Sequence, residues 1–210
     1  MNSLGLIFLS SFTIAFSGAL MPGPLLTVTI SESSRQGWIV GPRFILGHAV
    51  LEFLLLVGLF LGLAPLLTSP AAFIFIAFAG GAVMLWMAWG MFHSLPSLSF
   101  DSSESHSGKS LELTGALLSL ANPYWIIWWA TIGLGYVLSS RDKGIAGVGA
   151  FYFGHILADL IWYSFVSVGV HRGKKILPLK VYRGMIAVCA LFLTAYAGYL
   201  FVNGIRTVIN

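Results

Sequence analysis

Two short stretches hold the residues best suited to chemistry. Gly47-His48-Ala49-Val50-Leu51-Glu52 and Gly154-His155-Ile156-Leu157-Ala158-Asp159 each set a carboxylate four residues after a histidine, inside a long apolar run. On a helix, positions i and i+4 lie on one face, a turn apart. An imidazole and a carboxylate placed so can trade a proton near neutral pH, and together they are ligands for a borderline divalent metal. A lipid-facing charge near the centre of a bilayer costs at least ~2.5–3.5 kcal/mol on insertion scales. Both faces must therefore point into protein or a wet cavity. One such pair is equally well explained as a buried hydrogen-bond network. Two at the same spacing favour a proton or cation relay.

The elements that position them follow from composition. Only 9% of the 210 residues are charged and 58% are hydrophobic, with a mean hydropathy of +0.91. A soluble domain carries roughly 25% charged residues. The chain is therefore expected to be all-α and integral to a membrane, since only helices and closed barrels satisfy their backbones in lipid and barrel-type alternation is absent. A span needs about 20 apolar residues, and six segments qualify: about 4–30, 38–63, 71–95, 111–138, 145–170 and 184–205. No Lys or Arg precedes the first, so it is expected to stay as a span rather than be cleaved as a leader. The net charge of +4 has no basic stripe behind it, and nucleic acid is not an expected partner. Arg35, Arg43, Lys109, Arg172, Lys174, Lys175, Lys180 and Arg183 fall on one side of the six spans, against Arg141, Lys143 and Arg206 on the other. The positive-inside rule then puts both termini outside the cytoplasm, in the plasma membrane.

The segments repeat. Setting His48 on His155 lays span two on span five. Span one then falls on span four, each with a break: Met-Pro-Gly-Pro at 21–24 and Leu-Ala-Asn-Pro-Tyr-Trp at 120–125. Span three, with Ala-Gly-Gly-Ala-Val-Met-Leu from Ala79, matches span six, with Ala-Gly-Tyr-Leu-Phe-Val from Ala197. Three spans per half is an odd number, so the halves cross the membrane in opposite senses: a 3+3 inverted repeat, with residues 1–95 and 111–210 as halves and a Ser-rich cytoplasmic linker at 96–110. A proline inside a helix costs about 3 kcal/mol or more, so Pro22, Gly23 and Pro24, and then Asn122 and Pro123, are expected to break spans one and four. Matched broken helices mark a substrate site at the repeat interface. Tyr124, Trp125, Trp128 and Trp129 follow the second break, as packing or as a cavity wall. Trp86 and Trp89 suit an interface belt. Gly58 and Gly62 form a GxxxG that suits close helix packing and leaves room for a homo-oligomer. His93 and His106 have no metal-ligand spacing around them and are expected to face solvent.

Pro-Gly-Pro in span one, Ala-Asn-Pro in span four and Gly-His-x-x-x-Asp-x-x-Trp-Tyr in span five resemble the LysE/RhtB family of amino-acid exporters, over nearly the whole chain. The resemblance implies efflux of amino acids or related small metabolites, driven by the membrane potential or a proton gradient, with no cofactor. The family positions it carries over are Pro22, Gly23, Pro24, Asn122, Pro123 and Asp159; His48 is an addition to that pattern. Two alternatives stay open: efflux of a divalent metal of the cadmium type, and a membrane assembly subunit that transports nothing. An enzyme is not expected, because HExxH and GxSxG are absent and the one cysteine, Cys189, cannot form a redox pair.

Overall fold

A computed structural model describes residues 3–97, 110–173 and 178–209. Among these, all regular structure is helical. The main helices are α1 (Leu4–Ala19), α2 (Pro24–Gln36), α3 (Val40–Gly58), α4 (Ala64–Leu67), α5 (Pro70–Phe75), α6 (Gly81–Ser94), α7 (Leu111–Leu120), α8 (Pro123–Trp128), α9 (Leu134–Ser140), α10 (Gly144–Gly173) and α11 (Leu179–Ile209). His106, Lys109, Lys174 and Lys175, with most of the 96–110 linker, lie outside the described residues.

The prolines start helices. Gly23, extended at φ −148° and ψ −176°, precedes Pro24 at the first turn of α2, and the axes of α1 and α2 differ by 80°. Asn122 caps α8 by accepting from the Tyr124 N–H at 3.1 Å, with Pro123 next in the chain. Proline suits that position because its missing N–H would have no intrahelical partner there. Residues 31–36, a polar connector by sequence, are helical instead. Ser33 and Ser34 are buried, and Ser33 Oγ donates to Ser167 Oγ on α10 at 2.9 Å. That serine-rich stretch is a wall of the bundle.

Helical length and apolarity pick out Val40–Leu66, Pro70–Ser97, Pro123–Gly173 and Leu179–Ile209 as able to cross a bilayer, and the bent α1–α2 pair makes a fifth. Pro123–Gly173 is 51 residues long and contains a tight turn at Arg141–Lys143. Leu61, Phe75, Phe165 and Ile145 point outward, whereas Glu52 is 0% exposed and Asp159 4%. Apolar outside and ionisable inside is the inverse of a soluble domain. The chain is a multi-pass membrane protein.

α1 packs along α10, α7 along α3, and α6 against α11. The first two crossings are close because each uses small residues at four-residue spacing, Ser11, Ala15 and Ala19 on α1 and Gly115 and Ser119 on α7. Glycine is needed opposite them. A Cβ on Gly47 would lie 1.7 Å from the Glu112 carbonyl oxygen, and one on Gly154 would lie 2.5 Å from that of Phe8. These glycines immediately precede His48 and His155, so close approach of the backbones sets where both imidazoles go. Gly62, paired with Gly58 in the sequence, has φ +101° inside a π-turn at Leu59–Leu63 and nothing beside it. Its part within the chain is to bend the end of this helix. His93 is exposed on the protein surface, stacked on Trp89.

Candidate functional site

The two histidine–carboxylate pairs form one cluster. His48 Nε2 lies 3.0 Å from Glu52 Oε1, in its own helix, and 3.4 Å from Asp159 Oδ2 across the bundle. His155 Nε2 lies 3.3 Å from Asp159 Oδ2 and 3.2 Å from Glu52 Oε2. Each imidazole thus faces both carboxylates. All four side chains are buried, at the crossing of α3 and α10.

Neighbouring helices fix the geometry. The indole N–H groups of Trp125 and Trp129 both donate to Glu52 Oε1, at 2.9 and 2.8 Å. They stand four residues apart on α8 and the π-turn that follows it, so one face presents both. His48 Nδ1 is 2.7 Å from Ser119 Oγ, which itself donates to the Gly115 carbonyl at 2.8 Å. A hydroxyl has one proton, so the hydrogen-bond network assigns the other one to Nδ1: His48 donates to Ser119 and turns Nε2 toward the carboxylates. Trp128 covers His155, with ring centroids 4.7 Å apart, and anchors to α1 through Ser17 Oγ at 3.0 Å. Tyr124 reaches the same residue, donating to the Ser17 carbonyl at 2.9 Å.

A cavity of about 50 Å³ opens beside the cluster. Gly23, Asn122, Tyr124, Trp125 and Trp128 line it together with the four ionisable residues. The residues just before α2 and α8 meet here, since a Cβ on Gly23 would stand 3.4 Å from Asn122 Nδ2. The prolines do not line this cavity: Pro22 and Pro24 bracket Gly23, and Pro123 packs against Gly80. Ser119 and Tyr163 are site residues that the sequence reading does not single out. Tyr163 carries a signal, because it follows Asp159 by four residues. Ser119 carries none.

The two ionisable pairs thus meet beside one buried cavity inside a multi-pass membrane protein. Residues 16–204 match the LysE type translocator family, and the chain belongs to it. It is similar to the putative amino acid efflux protein YcgF of Bacillus subtilis, at 23% identity covering 97% of this chain and 99% of that protein. It is also similar to the chemotactic transduction protein ChpE of Pseudomonas aeruginosa, at 27% identity covering 91% and 96%. No solved structure matches the chain.

Proposed function

We propose that this translocator is a secondary transporter exporting amino acids or related small metabolites from the cytoplasm across the plasma membrane, energised by the proton gradient or the membrane potential. One observation carries the reading: two breaks and two ionisable pairs, far apart in sequence, line a single cavity. The name of the similar Bacillus protein supports the substrate class. In this reading the chain has six spans in a 3+3 inverted repeat, with α1–α2 and α7–α9 as the broken ones. The reciprocal packing of α1 on α10 and α7 on α3 supports it.

The 50 Å³ cavity has room for an ion or a few waters. Pockets for organic ligands run to roughly 300 Å³ and more. A second cavity of about 380 Å³, also bordered by α2, meets that requirement. Glu32 and Arg35, paired with each other at 3.7 Å, border it, and Phe44, Met91 and Ile186 give it an apolar wall. Loaded proteoliposomes should exchange at least one labelled amino acid in counterflow across a broad panel. If no solute in the panel exchanges, the export reading fails.

The orientation has its own check. In a chain with Cys189→Ser, Ser97→Cys should resist an impermeant thiol reagent applied to intact cells, and Asp142→Cys, exposed beside α9, should react. The reverse pattern would invert the topology and the charge argument with it.

A further inference from the structure

We infer that His48, Glu52, His155 and Asp159 form a binding site for one divalent transition-metal ion. The spacing of their ligand atoms is the first ground. A tetrahedral ion with metal–nitrogen and metal–oxygen bonds of about 2.1 Å separates its ligands by about 3.4 Å. Asp159 Oδ2 lies 3.4 and 3.3 Å from the two histidine Nε2 atoms, Glu52 Oε1 lies 3.0 and 3.2 Å from the same two, and one ligand atom from each residue lies within 4.8 Å of all the others. Among the described residues, this is the sole group of three or more His, Cys, Asp or Glu in such reach.

Unused bonding capacity is the second. Glu52 Oε2 and Asp159 Oδ2 are fully buried and hydrogen-bonded to nothing, although both face histidine nitrogens. Such oxygens are rare in a folded interior and call for a partner. The third is the orientation of His48. With Nδ1 donating to Ser119, Nε2 is the ring nitrogen aimed at both carboxylates, as ligation of a shared ion requires. A ligating histidine held by a hydrogen bond from its other ring nitrogen is the usual outer-sphere pattern of metal sites. The Trp125 and Trp129 N–H groups hold the Glu52 carboxylate in the same way, through Oε1, with Oε2 left without a hydrogen bond.

Two imidazoles and two carboxylates suit Zn²⁺, Co²⁺ or Mn²⁺. Ca²⁺ and Mg²⁺ prefer all-oxygen shells, and Cu⁺ prefers sulfur. The small cavity agrees in size with an ion. That the metal is the ion coupled to export rests on the reading above; the site itself does not.

The test uses the full chain, freed of any purification tag and stripped with a chelator. Titration with Co²⁺ should give one ion per chain with the intense visible absorption of a tetrahedral nitrogen–oxygen site, displaced by Zn²⁺. Glu52→Gln and His155→Gln should each weaken binding more than ~100-fold, and Ser119→Ala by ~10–100-fold as an outer partner. X-ray absorption of the Zn²⁺-loaded unsubstituted protein should count two imidazoles and two oxygens, which decides the matter even where a variant fails to fold. No saturable binding, or binding unaltered in all three folded variants, overturns the site. The same preparation assayed for counterflow keeps the two ideas apart: metal bound without amino-acid exchange sinks export alone, and exchange without metal binding sinks the metal site alone.

Discussion

Glu52→Ala should leave little folded, transport-competent protein. This carboxylate is 0% exposed, accepts two indole N–H groups and faces both imidazoles. Alanine would strand all four. Removing one partner of a buried, hydrogen-bonded charge network costs about 3–5 kcal/mol, and each orphaned donor adds to the loss. The expected results are a steep drop in melting temperature in detergent, a small monodisperse fraction, and no counterflow. Asp142→Ala, at an exposed site on the Arg141–Lys143 turn, should shift stability by no more than about 0.5 kcal/mol. If the two variants melt alike, the cluster does not organise this bundle.

Each half of the cluster is legible in sequence, because a histidine and a carboxylate at i and i+4 share a helix face whatever surrounds them. The union of the halves is not. That His48 reaches Asp159 as well as Glu52 depends on the crossing of α3 and α10, which no local pattern encodes. The starts of α2 and α8 are readable for a related reason: proline fixes its own φ and removes an N–H donor wherever it stands. Residues 31–36 mislead because serine counts as polar in any scale, yet in a helix its hydroxyl can bond the preceding turn or a neighbour and pack inward. Ser33 does this with Ser167, which also accepts from the Gly41 N–H at 2.8 Å and so ties α2, α3 and α10 together. Trp125 and Trp129 could be placed on one face from their spacing. Their common acceptor became visible only once α8 was set against α3.

Gly47→Ala should be nearly as damaging as the loss of Glu52, though it removes no polar group. The added methyl would stand 1.7 Å from the Glu112 carbonyl oxygen. That atom belongs to the backbone of α7, so no side-chain rotation relieves the overlap and the helices must separate. Overpacking of this kind costs about 1–3 kcal/mol where side chains can yield, and more where they cannot. Moving α7 also carries Ser119 away from His48 and loosens its grip on the imidazole. Gly154→Ala, 2.5 Å from the Phe8 carbonyl oxygen, should do the same to His155 to a smaller degree. Gly198, in the middle of α11, has nothing within 4 Å of the position a Cβ would take. Its replacement by alanine should raise stability, by up to about 1 kcal/mol of helix propensity. Melting temperature and counterflow of the three variants, measured side by side, should therefore rank Gly198→Ala above the unsubstituted protein and Gly47→Ala lowest. Full transport and unchanged melting for Gly47→Ala would mean that α3 and α7 do not cross at this distance, and that backbone approach is not what places the histidines.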